Sequence, residues 1–305
     1  MANISMSICF EKHLTFFFIL LKFTAKRTMF SKSFSIQGHR GARGLLPENT
    51  IESCCKAVAL GVDGLEIDVV VSKDNQLVVS HEPWMSPLFC SFPDGNAVDT
   101  EGGLLKNLTV FEIQQYDCGS RGNARFPTQV PTKAYKPTFY ELVIAVHAFC
   151  EKENFRKPFW NIEVKSHPKW YGRFVPPPSI FARLLVNELK NLEFVSNSNF
   201  YVSSFDPQFL RAFRKQNPSV YLAFLTENRL SFKQNMRNLG FKPAIYSPYY
   251  KFLNKKTIET AHKYGVKVMT WTVNDPKTAN ILRGWQIDGL ITDFPNLVKV
   301  EHIDG

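Results

Sequence analysis

Short apolar runs alternate with amphipathic stretches along the chain after residue 33. The runs are rich in β-branched and aromatic residues and predict nine strands, at 34–38, 64–71, 77–80, 159–164, 200–205, 220–225, 244–247, 267–273 and 289–292. Amphipathic stretches between most of them predict helices, near 138–153, 179–194, 207–216, 228–239, 255–264 and 276–284.

The helix after the first run has the clearest pattern. Its apolar residues recur at helical spacing, at Ile51, Cys54, Cys55, Val58 and Ala59. Asn49, with Glu52 three positions later, predicts where this helix begins, because a short polar side chain can accept a hydrogen bond from the first free backbone amides.

Alternation of strands and helices predicts a parallel sheet, and about eight repeats favour a closed (β/α)8 TIM barrel over an open sheet. Nine runs are one more than this α/β fold needs. The link at 72–76 is too short to hold a helix. We therefore expect that one of the runs beside this link, or the run at 244–247, is not a barrel strand.

Residues 82–137 interrupt the alternation with a long stretch rich in Pro, Gly, Asn and aromatic residues. Irregular segments of this length inside a domain are often functional. The stretch follows a strand end, so it is expected over the catalytic face as a small subdomain or lid. The predicted organisation is an extension at 1–33 and one barrel domain at 34–305 that carries this insertion.

The N-terminal segment contains an apolar stretch at 14–21, which is too short to span a bilayer. It is either the core of a signal peptide or part of an extension before a start at Met29. A cytoplasmic protein fits the second interpretation. A periplasmic or secreted protein fits the first, with 1–28 as the signal segment. No stable membrane span is expected.

Composition narrows the function classes. The chain has 305 residues, 44% of them hydrophobic, which suffices for one large domain. The net charge is +10, and no block of five like charges occurs, so a nucleic-acid surface is not indicated. The basic bias suits a small anionic substrate. Composition leaves the oligomeric state open.

The six cysteines include no C-x-x-C pair, so a zinc site or a disulfide framework is not expected. Cys54 and Cys55 are expected to pack on the first helix. Cys90 and Cys118 share the insertion, and a bridge between them stays an open alternative.

Chemically active side chains stand at the ends of four runs. In a strand, residues two apart point to the same side, and barrel active sites form where the strands end. The residues expected to meet at one mouth are His39, Arg40, Glu66, Asp68, His81, Glu163 and Lys165. Singly, each has an ordinary structural explanation. Together, in apolar settings at successive strand ends, they predict a site.

The residue types indicate chemistry on a phosphate. Carboxylate oxygens from Glu66, Asp68 and Glu163 suit one hard divalent cation, Mg²⁺ or Ca²⁺. Cationic side chains beside them can neutralise a phosphodiester, and Arg40 and Lys165 have that position. Histidines exchange protons near neutral pH, so His39 and His81 can divide the general base and general acid roles.

From residue 35 to about 298 the chain resembles the glycerophosphodiester phosphodiesterase family. The matching motifs are His39-Arg40-Gly41, Pro47-Glu48-Asn49-Thr50, Glu66-Ile67-Asp68, Leu77-Val78-Val79-Ser80-His81, Glu163-Val164-Lys165, Ser203-Ser204-Phe205, Trp271-Thr272-Val273-Asn274 and Asp288-Gly289-Leu290-Ile291-Thr292-Asp293-Phe294-Pro295. Their combination is specific, although each motif alone is not.

The resemblance implies metal-dependent hydrolysis of a glycerophosphodiester to sn-glycerol 3-phosphate and an alcohol. It implies that Trp271 lines the glycerol side, and that Glu48 contacts the metal through water or braces the Arg40 loop. One position departs from the family, which often has Asp after the second histidine. Glu82 stands there in this chain, ahead of the insertion.

Two other functions fit the same barrel. A lysophospholipase D or a sphingomyelinase-D-like enzyme would use the Phe-rich insertion and the N-terminal apolar stretch on lipid substrates. A non-catalytic binding protein would require loss of a metal-binding or acid/base residue, and none is lost here.

Overall fold

The computed structural model describes residues 34–99, 103–192 and 199–298, so the predicted extension or signal at 1–33 and the start at Met29 lie outside it. In this part of the chain the strands are β1 (Ser35–His39), β2 (Gly64–Val71), β3 (Leu77–Val79), β4 (Phe159–Val164), β5 (Phe200–Ser204), β6 (Leu222–Thr226), β7 (Ile245–Pro248), β8 (Lys267–Thr270) and β9 (Gly289–Thr292). The helices are α1 (Ile51–Ala59), α2 (Val110–Ile113), α3 (Phe139–Lys152), α4 (Pro178–Asn191), α5 (Pro207–Gln216), α6 (Phe232–Leu239), α7 (Lys255–Lys263) and α8 (Pro276–Gly284).

Eight parallel strands close into a TIM barrel, as predicted. The order around the barrel is β1-β9-β8-β7-β6-β5-β4-β2, and pairing of β1 with β2 closes the ring. The closing register sets His39 opposite Glu66, which places the end of β1 beside the acidic residues of β2.

The surplus predicted strand is β3, which runs antiparallel to β2 with Val69 opposite Val79. The run at 244–247 forms barrel strand β7. The Ser72 side chain closes the link between β2 and β3 by contacting Asp74 and Gln76. β2 therefore projects beyond the barrel mouth, and β3 brings the chain back to it.

Apolar packing surrounds the barrel, and a polar layer lies inside it. Helices cover the outer face of the strands with fully buried side chains such as Phe181, Phe209 and Phe213, which belong to one apolar cluster with Trp160 of β4. Inside, Gln37 Oε1 accepts hydrogen bonds from Asn161 at 3.1 Å and Tyr201 at 3.0 Å. This satisfied polar layer forms a rigid floor below the strand ends, because a buried polar group is costly unless it is bonded.

Helix α1 begins one residue later than the N-cap prediction from Asn49. Thr50 is the N-cap residue, and its side chain accepts a hydrogen bond from Ser53 N at 3.1 Å. Asn49 has a left-handed backbone (φ 58°), and its side chain donates to Asp68 at 2.9 Å. The prediction was wrong because the side-chain amide of Asn49 is hydrogen-bonded to Asp68 of β2 and does not cap the helix.

The insertion forms a small subdomain with its own apolar cluster. Met85, Phe89, Leu105 and Ile113 pack with residues of β2 and β3, and a disulfide joins Cys90 to Cys118. The segment returns to the barrel where Val79 N donates to Pro137 O at 2.9 Å. This subdomain is therefore fastened to the hairpin that leads to His81.

Two further properties concern the chain outside the insertion. Cys54 is buried in α1 and Cys55 is half-buried, both as free thiols. Across the described helices, none has both the length and the apolar composition required for crossing a bilayer.

Candidate active site

The end of β1 places a histidine and an arginine over the barrel mouth. His39 is the last residue of β1, and Arg40 follows with a left-handed backbone (φ 53°). This turn directs the Arg40 amide to Glu66, whose Oε2 accepts at 3.0 Å. Both residues are buried, at 8% exposure. The turn therefore joins the first strand to the acidic strand beside it.

A carboxylate from the last barrel strand contacts His39. Asp293 directly follows β9, and its Oδ1 lies 2.7 Å from His39 Nδ1. Arg43 Nε donates to the same oxygen at 2.5 Å. Burial, assisted by the Arg43 charge and opposed by Asp293, lowers the pKa of His39 to about 4. His39 is therefore neutral at pH 7 with its ring orientation fixed.

Three buried carboxylates converge on one point. Glu66 and Asp68 stand two apart on β2, and the register sets Asp68 opposite Glu163 of β4. One oxygen from each lies within 4.8 Å of the others. Burial and the charges of Asp68 and Glu163 raise the pKa of Glu66 well above its ordinary value. Because like charges this close repel one another, the cluster requires positive charge beside it.

Two cationic side chains contact these carboxylates. Arg40 Nη1 lies 2.7 Å from Glu48 Oε1, and its Nε lies 3.1 Å from Asp68 Oδ2. Lys165 Nζ lies 2.5 Å from Glu163 Oε1 and 3.4 Å from Asp68 Oδ1. Burial alone would lower the pKa of both cations, but the surrounding carboxylates outweigh it and raise them.

The second histidine arrives on the returning hairpin. Ser80 N donates to Asp68 O at 3.0 Å, which sets His81 level with the acidic residues of β2. His81 Nδ1 lies 2.8 Å from Glu82 Oε1. Burial would raise the pKa of Glu82, but its contacts with His81 outweigh this and lower the pKa to about 2. A charged carboxylate therefore orients His81, and Glu82 supplies it despite its departure from the family pattern.

An open cavity of about 220 Å³ lies between these groups. Among its lining residues are Phe205, Leu225, Glu227, Trp271 and Thr272. Trp271 Nε1 donates to Ser247 O at 3.0 Å, which fixes the indole on the wall opposite the carboxylates. The mouth therefore has one charged wall and one aromatic wall.

All nine residues singled out from the sequence lie at this mouth. Seven line the cavity, namely His39, Arg40, Glu66, His81, Glu163, Lys165 and Trp271. Asp68 lies below them at 0% exposure, and Glu48 lies behind Arg40. Their individual roles stay predictions.

Three residues that hold the site together were not predicted as site residues from the sequence. Asp293 and Arg43 hold His39, and Asn49 holds Asp68. Asp293 has the strand-end position that identified the other carboxylates, so the same rule applied to the last run would have found it. Arg43 and Asn49 carry no such signal, because their contacts depend on the path of the loop between β1 and α1.

The acidic cluster also fits a divalent cation. Glu66 Oε1 is buried without a hydrogen-bond partner in the described structure, and it belongs to the three-carboxylate group. Hard oxygen ligands of this kind suit Mg²⁺ or Ca²⁺. The residues able to hold the ion are those predicted, Glu66, Asp68 and Glu163.

Comparison with known proteins agrees with this geometry. The family model of the glycerophosphoryl diester phosphodiesterase family matches residues 39–297. A glycerophosphodiester phosphodiesterase of Caldanaerobacter subterraneus subsp. tengcongensis is 30% identical over 266 residues, covering 86% of this chain and 96% of the relative.

Two solved structures share the fold. A protein of Silicibacter pomeroyi is 25% identical with a TM-score of 0.77, and the match covers 86% of this chain and 90% of that one. A phosphodiesterase of Oleispira antarctica, solved with the product sn-glycerol-3-phosphate, has a TM-score of 0.68 at 22% identity, covering 87% and 94%. The family match spans most of the barrel and all its predicted active-site positions, and this chain therefore belongs to the glycerophosphoryl diester phosphodiesterase family.

Proposed function

We propose that this protein hydrolyses glycerophosphodiesters to sn-glycerol 3-phosphate and an alcohol, with a divalent cation and a histidine pair. The convergence of His39, His81, Glu66 and Glu163 on one cavity, with Asp68 in the same acidic cluster, carries the proposal. The family membership supports the reaction class. A protein that only bound its ligand would not need two separately oriented histidines.

The cation would be held by Glu66, Asp68 and Glu163. When bound, it offsets the negative charge of the phosphate and of the carboxylates around it. Arg40 and Lys165 flank the same cluster and supply the remaining positive charge to the phosphate oxygens.

His39 has the properties of the general base. Its Nδ1 faces Asp293, so the proton of the neutral ring resides there and Nε2 keeps a free electron pair. Nε2 lies 3.8 Å from Glu66 Oε2, on the side of the acidic cluster. Because burial keeps the ring neutral, Nε2 can take a proton from the attacking hydroxyl.

His81 has the properties of the general acid. It lines the same cavity, and its Nδ1 is engaged by Glu82. Its side chain is 32% exposed, against 10% for His39, so it can regain a proton from solvent after each turnover. It would donate that proton to the departing alcohol oxygen.

The remaining residues position the substrate. Trp271 would pack its ring on the glycerol carbons, as expected from the resemblance, because its indole is fixed on the cavity wall. Glu48 would brace Arg40, since it pairs directly with the guanidinium. A contact from Glu48 to the cation through water remains the alternative role.

The attacking group is either the glycerol 2-hydroxyl or a water molecule. The hydroxyl is already adjacent to phosphorus, which favours intramolecular attack and a 1,2-cyclic phosphate that water then opens. His39 would take the proton in either route. A 2-deoxy substrate hydrolysed at the normal rate would exclude the cyclic route.

The test is a product analysis with glycerophosphocholine, glycerophosphoethanolamine and glycerophosphoglycerol, with and without EDTA. We expect sn-glycerol 3-phosphate from each, loss of activity in EDTA, and recovery with Mg²⁺ or Ca²⁺. The matched control is the double variant His39→Gln/His81→Gln. Release of phosphocholine, or activity of the double variant equal to the parent, would overturn the proposal.

A lysophospholipase D activity is the second candidate, and an aromatic strip at the mouth favours it. Trp271 contacts Phe205 and Tyr249, with ring centres 5.4 and 5.2 Å apart, and Tyr249 contacts Phe252 at 5.7 Å. Phe205 and Phe252 are each 37% exposed. An acyl chain could lie on this strip, so lysophosphatidylcholine belongs in the same panel, and a higher kcat/KM for it would favour this candidate.

A further inference from the structure

A second hollow lies at the end of the barrel opposite the catalytic mouth. It is an open groove of about 420 Å³ between α6 and the segment that follows α7. Gly240 ends α6 before β7, and Tyr264 ends α7 before β8, so both lining segments precede their strands. The catalytic residues follow their strands, so the groove is separate from the active site.

The floor and walls of the groove are apolar. Phe232 and Met236 stand four apart on α6 and line it together, facing Tyr264 and Val266. The rings of Phe232 and Tyr264 meet edge to face with centres 5.5 Å apart, which joins the two helices beneath the groove. Tyr264 is 49% exposed, so an apolar surface remains open to a ligand.

Three cationic side chains border this surface. Lys233 and Arg237 stand four apart on α6 and form a row beside the apolar pair. Lys233 Nζ lies 6.0 Å from the centre of the Tyr264 ring, and Lys242 Nζ lies against the turn at Gly265. Among the described residues, no carboxylate lies within 4.0 Å of the ends of these three cations. Their charge is therefore available to a ligand.

Basic residues are concentrated in the part of the chain that contains the groove. Residues 205–267 contain twelve Lys and Arg but only three Asp and Glu, within a chain whose net charge is +10. Near the groove, Arg214 lies over Phe241 at 5.2 Å and Arg211 binds the carbonyl of Leu239. The groove therefore lies in a strongly basic part of the barrel, where long-range electrostatics favour anions.

We propose that this groove binds an anionic amphiphile with a single alkyl chain. The alkyl chain would lie on Phe232, Met236 and Tyr264, and the carboxylate or phosphate head would meet Lys233, Arg237 and Lys242. The volume lies in the range of small-molecule sites, which are mainly apolar with a few placed polar groups. The head group of a cationic or a neutral amphiphile would not complement the positive charge of these three side chains.

The test is calorimetric titration of the full-length protein with dodecanoate and with dodecyl phosphate, both below their micellar concentrations. We expect one site for each probe. Dodecyltrimethylammonium, dodecyl maltoside, butyrate and inorganic phosphate should bind at least about tenfold more weakly, because each lacks the charge or the chain. Comparison of the first two probes shows which head group the site prefers.

Variants decide whether the groove is the site. Lys233→Gln/Arg237→Gln should weaken dodecanoate binding about tenfold or more. The matched control is Arg183→Gln/Lys190→Gln, which removes the same charges from exposed positions on α4 and should leave affinity unchanged. Met236→Glu places a carboxylate in the groove and should abolish binding at an unchanged melting temperature.

Two results would overturn the proposal. One is an equal affinity for dodecyl maltoside and dodecanoate, which would indicate ordinary hydrophobic adsorption. The other is equal weakening by the α6 and α4 double variants, which would mark a general effect of net charge. Hydrolysis of glycerophosphocholine should proceed in both double variants, so the outcome is independent of the proposed activity.

Discussion

Asp293 Oδ1 lies 2.7 Å from Nδ1 of His39, so the residue after the last barrel strand holds the histidine that ends the first. The Asp293 carboxylate also accepts from Arg43 Nε at 2.5 Å and from Asn274 Nδ2 at 2.7 Å. Three donors thus share one buried carboxylate. Its geometry determines which nitrogen of His39 faces the cavity.

Asp293→Asn should lower kcat about 10²–10³-fold with less than about a tenfold change in KM. An amide has one oxygen for the three donors, so His39 loses the partner that holds its proton on Nδ1. Steady-state kinetics on glycerophosphocholine measures the effect.

Asp288→Asn is the control for that variant. Asp288 binds His262, Lys267 and the Val268 amide at the other end of the barrel. This change should reduce the melting temperature and leave kcat nearly intact. Equal losses of kcat in the two variants would mean that Asp293 acts only through stability.

Glu82→Gln should separate the roles of the two histidines. A choline leaving group needs a proton from His81, whereas a p-nitrophenol leaving group does not. We expect a loss of about 10²-fold with glycerophosphocholine and less than about fivefold with the p-nitrophenyl ester. Glu82→Asp should retain most activity, and His39→Gln should impair both substrates. Equal losses on both substrates in Glu82→Gln would contradict the assignment of His81 as the acid.

Binding of Mg²⁺ or Ca²⁺ should raise the melting temperature of EDTA-treated protein. At about 100 times the dissociation constant the gain is about 2.7 kcal/mol, or roughly 5–10 °C. Glu66→Gln should abolish this shift without lowering the metal-free melting temperature, because it removes one of three repelling charges. Glu259→Gln, an exposed change on α7, should keep the shift. Scanning calorimetry decides between these outcomes.

Stability should fall below neutral pH partly through His147. Burial, assisted by Lys157, lowers the pKa of His147 to about 4, and Trp160 Nε1 donates to its Nε2 at 3.4 Å. The unfolded state therefore binds more protons between pH 6.5 and 4, so this contribution is complete above pH 6.5 and is lost towards pH 4. Partial exposure reduces the effect to about 1–2 kcal/mol.

Urea unfolding at pH 7 and pH 5 tests this contribution. His147→Gln should narrow the stability difference between the two pH values, whereas His167→Gln, at an exposed position, should leave it unchanged. The assignment to His147 fails if both variants keep the parent's pH dependence.

Removal of the Cys90–Cys118 bridge should destabilise the insertion. The cysteines are 28 residues apart, and closing a loop of that size is worth about 3–4 kcal/mol. Cys90→Ala/Cys118→Ala should lower the unfolding free energy by about that amount, measured in urea. Dithiothreitol should destabilise the parent and leave the double variant unaffected. A parent that does not respond to dithiothreitol would show that the bridge does not form.

The barrel was predictable because its periodicity is regular, but the direction of one strand was not. The sequence pattern of a run of three or four apolar residues is the same whether the strand pairs in parallel or antiparallel. The pattern therefore predicts a strand at β3 without its direction, which is antiparallel to β2. His81 reaches the mouth because of that reversal, and not because it ends a parallel strand.

The site residues on the strands or directly after them were predictable, and those deeper in the loops, Arg43 and Asn49, were not. Glu66, Asp68 and Glu163 follow from the two-residue period and the strand-end rule. Arg43 and Asn49 reach the site through a loop whose path depends on left-handed residues at 40 and 49. The pairing of Cys90 with Cys118 depends equally on tertiary contacts within the insertion.

The ion pairs at the mouth link the binding of the cation to the binding of the substrate. Lys165 and Arg40 are paired with Glu163 and Asp68, the same carboxylates that would hold the cation. A cation held by these carboxylates would compete with Lys165 and with Arg40 Nε for their oxygens, and these donors would then be available to phosphate. Metal and substrate should therefore bind cooperatively, and linkage requires the coupling to be reciprocal. Each ligand should increase the affinity for the other by the same factor, so the site would assemble fully only when both are present.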